Sequence, residues 1–311
     1  MRVVSASDID RLLDTPTLIA AIREAFAGAV TAPVRHHHTI PRPGADATLI
    51  LMPAWQDGAG GFIGVKVVSV FPDNAARARP SVMGAYLLIA GDSGEPLAVL
   101  DGVALTLRRT AAASALAAEA LARPEARRLA MIGAGALAPH LIAAHAAIRP
   151  IREVTIWNRT AATAKRLAAA LSRPDLNVTA SDNLEAAVRD ADVISVATLT
   201  SEPLVRGGWL KAGAHVDLVG AFTPAMREAD DDAIRRARVY VDSRAGMRES
   251  GDIAGPLASG ALDENGIAGD LYDLARGTAQ GRRSADEITL FKSVGNAVED
   301  LAAAVAVWRR L

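Results

Sequence analysis

From residue 124 onward the chain alternates short apolar runs with amphipathic stretches, and no other feature limits its possible folds so strongly. Runs at 129–132, 154–157, 177–180 and 192–198 read as strands, and the segments 136–148, 160–172 and 183–190 between them read as helices. Two more strands are expected at 215–219 and 238–241. Each intervening helix must carry the chain back across the sheet, so the order predicts an α/β fold with a doubly wound, parallel, Rossmann-type sheet. The first turn of the alternation is Gly133-Ala134-Gly135-Ala136-Leu137-Ala138. Gly133 permits a tight turn, Gly135 lets backbone approach a pyrophosphate, and Ala138 is small where helix and strand pack closely. The helix start then offers unpaired N–H groups and the positive end of its dipole to phosphate. A strand, glycine turn and helix in this order predict a dinucleotide site, and with it a nicotinamide-dependent oxidoreductase.

The end of the second strand separates the two nicotinamide dinucleotides. NAD sites place Asp or Glu there, about 20 residues past the turn, to bind the ribose diol. This chain reads Trp157-Asn158-Arg159-Thr160, with Asn158 23 positions after Gly135. No carboxylate stands there to repel a 2′-phosphate; Arg159 can pair with one, and Asn158 and Thr160 can hydrogen-bond to it. NADPH is the expected cofactor, with NADH as the weaker alternative. A solvated arginine opening a helix is the competing reading.

At 311 residues the chain exceeds the usual size of a single core, so two domains are expected. A helix with Thr15 as N-cap and Pro16 at its first position is predicted to run to about Val30, after a polar helical start at the N-terminus. Short β-rich runs at 48–55, 62–71, 84–90 and 96–100, joined by glycine-rich turns, predict an antiparallel meander, followed by an alanine-rich helix over 103–122. Pro124 marks a boundary, and a final helix over 288–310 is expected to return to the first domain. Residues 1–123 with 289–311 therefore form an α+β domain with antiparallel strands, and 124–288 the dinucleotide domain. The net charge of −1 gives no field for nucleic acid or an anionic membrane, and no apolar run is long enough to span one. The absence of cysteine removes disulfides, thiolate metal sites and a cysteine nucleophile. A cytoplasmic protein is expected.

Polar side chains interrupt apolar segments at two places. Lys66 lies within Phe62-Ile63-Gly64-Val65-Lys66-Val67-Val68, and a buried ammonium must be paired, depressed in pKa or facing a cavity. Those conditions suit a substrate-binding or proton-transferring lysine; a lysine snorkelling from a half-exposed strand is the alternative. Arg109 has Ala112, Ala113 and Leu116 on its helical face, so it points inward and needs an anion, either a substrate carboxylate or a structural salt bridge. The only histidine cluster, His36-His37-His38, has no accompanying paired carboxylates or cysteines, so no metal site is expected. No GxSxG or HExxH segment supports a hydrolase.

The stretches Ala32-Pro33-Val34-Arg35, Gly64-Val65-Lys66, Arg109-Thr110-Ala111-Ala112-Ala113-Ser114-Ala115, Gly133-Ala134-Gly135, Trp157-Asn158-Arg159-Thr160 and Phe291-Lys292-Ser293-Val294-Gly295 resemble, in order, the ornithine cyclodeaminase/μ-crystallin family. The resemblance implies a split substrate and dimerisation domain, a central Rossmann domain and a homodimer. It implies that Arg35, Lys66 and Arg109 surround a substrate carboxylate with Ser81 nearby, and it selects Arg109 over Arg108. It also implies a cofactor site drawing on Arg109, Thr110, Gly133, Ala134, Gly135, Ala136, Leu137, Asn158, Arg159, Thr160, Ala197, Thr198, Val219, Gly220, Lys292 and Ser293. One segment departs: where cyclodeaminases carry a catalytic aspartate, this chain reads Gly220-Ala221-Phe222-Thr223-Pro224. Phe222 cannot exchange a proton. The segment resembles instead the branch that reduces small cyclic imino acids, with Lys66 as the catalytic candidate and Phe222 shaping the substrate pocket.

Overall fold

The computed structural model describes residues 1–77 and 79–311. The chain divides into two compact units, Met1–Arg109 with Asn296–Leu311, and Thr110–Gly295.

The first unit opens with β1 (Arg2–Val4), α1 (Ala6–Leu12) and α2 (Thr15–Ala27). A strand thus precedes the helical pattern expected at the N-terminus. The cap of α2 is Asp14, whose Oδ1 accepts from the Thr17 N–H at 2.9 Å, one residue earlier than expected. There follow β2 (Val30–Thr31), β3 (His36–Ile40), β4 (Ala47–Gln56), β5 (Phe62–Val70), β6 (Val82–Ala90) and β7 (Pro96–Asp101). They form one sheet in the order β1-β7-β6-β5-β4-β2, with β3 also on β4. Strands β4 to β7 are the antiparallel meander, and β1 joins β7 in parallel. Strand β3 was not expected. It carries the histidines on an exposed strand, with the rings of His36 and His38 6.5 Å apart. Along the outer edge of β4, β3 covers residues 47–51 and β2 covers 55–56. Pro53, which has no N–H to donate, falls between them.

Helix α3 (Gly102–Leu121) is alanine-rich, and the division between the units lies within it. Asp101 Oδ1 caps its start, accepting from the N–H groups of Val103 and Ala104 at 3.0 and 2.9 Å. Two arginines serve its last carbonyls. Arg149 Nη2 donates to Ala118, Glu119 and Ala122, and Arg282 Nε donates to Leu121 at 2.7 Å. Cations at this end also complement the helix dipole.

The second unit comprises β8 (Arg128–Ile132), α4 (Ala138–Ile148), β9 (Glu153–Trp157), α5 (Ala161–Leu171), β10 (Asn177–Ala180), α6 (Leu184–Asp190), β11 (Val193–Val196), β12 (His215–Leu218), α7 (Asp231–Arg236), β13 (Ala237–Val241), α8 (Gly251–Ser259), β14 (Ile267–Asp270), α9 (Leu271–Arg276) and β15 (Ile288–Lys292). All eight strands are parallel, in the order β10-β9-β8-β11-β12-β15-β13-β14. Progress reverses between β8 and β11, so the crevice outside their carboxyl ends is where such a sheet binds ligands. The single helix expected over 288–310 is instead β15 followed by α10 (Ala297–Trp308). Ile288-Thr289-Leu290-Phe291 is β-branched and aromatic and is buried between β12 and β13, while Asn296 caps α10 and fixes its start. Helix α10 packs on α2 and on strands β4, β5 and β6 of the first unit. Among the described residues no helix is long and apolar enough to cross a membrane.

A buried polar network runs under the parallel sheet. Asp217 accepts from Ser114 Oγ at 2.9 Å and Ser195 Oγ at 2.7 Å, and pairs with His145 Nε2 at 3.1 Å. The Thr289 hydroxyl donates its one proton to the Leu121 carbonyl. The His215 Nδ1 contact to Thr289 Oγ1 at 3.0 Å must therefore be an Nδ1–H donating, which fixes the neutral tautomer. Among the described residues His215 Nε2 is buried without a hydrogen-bond partner, and burial holds the imidazole down at about 3. A histidine whose folded pKa lies below its unfolded value takes up a proton on unfolding, so its stability contribution is complete above about pH 6.5 and lost as pH falls toward 3. Lowering pH from 7.5 to 5 should cost about 2 kcal/mol through this group. Thermal unfolding of the wild type and His215→Asn at both pH values tests this: the variant should show a flatter pH dependence, and an equal slope would remove His215 as its source.

Candidate functional site

In the second unit the backbone at Gly133 has φ +104°, the left-handed turn that glycine permits. A side chain there would meet the Ala197 backbone, whereas a Cβ at Gly135 would project into open space. The turn is braced from the next strand. Asn158 Oδ1 accepts from the Ala134 N–H at 3.2 Å, and its Nδ2 donates to the Thr160 carbonyl at 3.1 Å. Asn158 thus fixes the turn. Beside it lies a pocket of about 300 Å³, lined by the expected residues Gly133, Ala134, Gly135, Asn158, Arg159, Ala197 and Thr198, together with Trp157, Leu199, Thr200 and Leu204, which sequence reasoning missed. Among the described residues no side chain caps the start of α4, where the Ala138 N–H donates to the Gly135 carbonyl at 3.1 Å and Pro139 has no N–H, so the unpaired N–H groups expected at this helix start are not found at its first two positions. Open space at Gly135, beside the pocket, fits a dinucleotide.

The remaining expected cofactor residues lie around this turn, at the sheet's carboxyl edge or on α3. Ala136 and Leu137 lead into α4, Thr160 precedes α5, and Val219 and Gly220 follow β12. Ser293 follows β15, and its hydroxyl donates to Asp242 at 3.2 Å. Thr110 is buried on α3. Lys292 is fully enclosed, its Nζ 3.1 Å from Asp252 and 3.7 Å from Glu228, so it serves protein carboxylates. Phe222 follows Gly220 and Ala221 and is 38% exposed.

In the first unit Lys66 projects from β5 toward α10 and is only 2% exposed. Its Nζ lies 2.7 Å from Asp300 Oδ2. Arg109, 5% exposed, reaches Asp300 Oδ1 through Nε at 2.9 Å and Glu299 Oε2 through Nη1 at 2.6 Å. The salt bridge considered for Arg109 is thus present. Glu299 also works on its own helix, where its Oε1 accepts from the Asn296 N–H at 3.2 Å and closes the capping box of α10. Glu299 and Asp300 were not foreseen, because the expected helix over 288–310 concealed their place in a first turn. The signal was Asn296-Ala297-Val298-Glu299-Asp300 ahead of an apolar helix.

Gly64 explains its place before Lys66. A side chain there would collide with the Tyr86 hydroxyl, which is buried beside Lys66 across the β5–β6 ladder. Burial lowers Lys66 most, Arg109 and Arg35 lower it further, and Asp300 raises it; the balance is a pKa of about 8. Arg35, half-buried between β2 and β3, therefore adds its charge near this lysine. Ser81 stands at the far end of the same ladder, beyond the Val70–Val82 pair, with its carbonyl accepting from Phe71 N–H. Arg108 points elsewhere, pairing with Asp10 at 2.6 Å. Among the described residues no group of three or more His, Asp or Glu could hold a metal ion.

The family model for the ornithine cyclodeaminase/mu-crystallin family matches residues 2–311, and the chain belongs to that family. The Arabidopsis thaliana protein SAR DEFICIENT 4 is 40% identical over 313 residues, covering 98% of this chain and 95% of that protein. The Δ1-pyrroline-2-carboxylate reductase of Paracoccus denitrificans is 40% identical over 289 residues, 90% of each chain. The solved structure of the Thermococcus litoralis Δ1-pyrroline-2-carboxylate reductase, in complex with NADH and L-proline, is similar with a TM-score of 0.93. It is 32% identical, covering 100% of this chain and 97% of that one.

Asp300 is the group that raises the basicity of Lys66, so Asp300→Asn should lower the lysine below its value of about 8. The alkaline limb of the kcat/KM profile should move to lower pH, and loss of a buried partner should destabilise the protein by about 3–5 kcal/mol. An unmoved alkaline limb would show that Lys66 ionisation does not govern turnover.

Proposed function

We propose that the chain is an NAD(P)H-dependent oxidoreductase acting on C=N bonds, reducing Δ1-pyrroline-2-carboxylate to L-proline and Δ1-piperideine-2-carboxylate to L-pipecolate. The observation that carries this reading is one chain holding both an open dinucleotide turn and a buried lysine near neutrality, set among arginines. Similarity to reductases of that name, one of them solved with NADH and L-proline, supports it. Phe222, where cyclodeaminases carry an aspartate, argues against ornithine cyclisation.

The substrate is a carboxylate with an adjacent C=N carbon. Reduced nicotinamide, when bound, supplies the hydride. The protein must bind the anion, orient the ring and deliver a proton to nitrogen. Arg35 and Arg109 supply positive charge for the carboxylate. Lys66, with a pKa of about 8, is mostly protonated at neutral pH yet acidic enough to give its proton to the imine nitrogen. Phe222 offers an apolar surface to the ring. NADPH is the preferred cofactor in this reading: Arg159 lines the pocket with Asn158, and no carboxylate replaces Asn158 to reject a 2′-phosphate.

The proposal extends to a homodimer. On the face of the first unit's sheet away from α10, Val3, Val67 and Met83 are exposed, and a second copy would cover them. Sedimentation equilibrium should give twice the chain mass; a monomer at micromolar concentration would refute the dimer.

Steady-state assays of both cyclic imines, pyruvate with ammonia, and ornithine, each with NADPH and NADH, test the function. The imines should be the best substrates, with NADPH favoured. Lys66→Met should abolish turnover with cofactor binding near normal, and Arg159→Asp should shift preference toward NADH. Faster turnover of pyruvate would indicate an amino-acid dehydrogenase, and tight NADPH binding with no turnover a binding protein; either overturns the reading.

A further inference from the structure

Glu228 is fully buried, seven positions past the Gly220-Ala221 step, and its carboxylate gathers two loops. One oxygen accepts from the Thr198 N–H at 2.8 Å and the Thr198 hydroxyl at 2.9 Å. The other accepts from the N–H groups of Gly220 at 2.8 Å and Ala221 at 3.2 Å. These donors belong to the segments leaving β11 and β12, at the carboxyl edge beside the point where strand order reverses, and Thr198 itself lines the dinucleotide pocket. Gly220 makes the arrangement possible, because a side chain there would collide with the Thr198 backbone. The backbone N–H of Glu228 is held in turn by Asp252 Oδ1 at 2.7 Å.

We propose that Glu228 is a positioning residue of the cofactor site: its carboxylate locks the Thr198 and Gly220-Ala221 backbones into the conformation that receives the dinucleotide. This rests on the oxidoreductase reading above. The role belongs to the anion, since only a carboxylate offers acceptors on both oxygens to donors arriving from two loops; a glutamine in the same place would turn an NH₂ toward one pair of them. The charged groups facing it are Lys292 from β15 and Asp252 from α8. Burial pushes Glu228 up most, Lys292 pulls it down and Asp252 pushes it up again, leaving it near 7. Between pH 8 and 6 the anion is therefore partly lost.

Glu228→Gln tests the proposal, with NADH binding followed by nicotinamide fluorescence and apo-protein melting measured in parallel. NADH affinity should fall by about tenfold or more, and the weakening of wild-type affinity from pH 8 to pH 6 should disappear in the variant. A merely structural residue would lower the melting temperature without removing that pH dependence. Affinity within twofold of wild type, or an unchanged pH profile, would overturn the assignment. Should Glu228→Gln fail to fold, Thr198→Val removes one donor to the same carboxylate; it should weaken NADH binding, and unchanged affinity would overturn the proposal equally. Wild-type protein that binds neither NADH nor NADPH would overturn the oxidoreductase reading and this proposal with it, whereas binding that is insensitive to Glu228 overturns this proposal alone.

Discussion

Asp300 divides its two oxygens between Lys66 and Arg109, and the first unit is organised around that division. An ammonium and a guanidinium withdrawn from water each carry a desolvation penalty of several kcal/mol unless an anion is held against them. The anions come from the opposite end of the chain, on the first turn of α10, where Glu299 and Asp300 also suit the positive end of the helix dipole. A strand near the N-terminus, a helix at residue 109 and a helix beginning at 297 are thereby fixed to one another. Helix α10 then covers β4, β5 and β6 and lies against α2. The split of this unit between the two chain ends is thus a consequence of where its counter-ions lie.

The second unit meets a related constraint with backbone instead of side-chain donors. The loops at the carboxyl edge of a parallel sheet leave N–H groups that no strand can satisfy. Glu228 takes those of Thr198, Gly220 and Ala221, and Asp242 takes those of Val294 and Gly295. Lys292 stands against Glu228 and Asp252, offsetting part of their charge. A ligand at this edge therefore meets loops already fixed from below.

How much of this could be read in the sequence depended on the range of the interaction. The βα alternation, the glycine turn and the strand carrying Lys66 were legible because each depends on neighbours within a few residues. The histidine strand β3 was not, because its three imidazoles and short length give no apolar alternation; it forms only because β4 supplies a ladder. The region 288–310 is read differently for another reason: β15 is buried on both faces, inserted between two strands, so its sequence lacks the apolar–polar alternation that distinguishes strand from helix. That error hid the start of α10 and with it Glu299 and Asp300. Lys66 and Arg109 were recognisable as cations in need of anions, but the anions themselves lay at the far end of the chain. Glu228 offered no local signal at all, since its importance comes from two loops that meet only in the folded sheet.

The two units arrive at one electrostatic solution. Both proposed ligands are anionic, one a carboxylate and the other a pyrophosphate, and a site for an anion must present donors while keeping carboxylates from facing it. Yet buried donors and cations need acceptors to be stable in the apo protein. Placing the carboxylates behind the donors satisfies both demands: Asp300 and Glu299 hold Lys66 and Arg109, and Glu228 holds the Thr198 and Gly220 backbones. The cost is that each donor is partly neutralised before the ligand arrives. This explains why Lys66 stays near 8 among two arginines, instead of losing its proton altogether. Without Asp300 the lysine would lose its proton more readily, and with less burial and no arginines it would hold it more tightly. The near-neutral pKa that the proposed chemistry needs is thus set by burial first, and then by the same charged groups that close the fold.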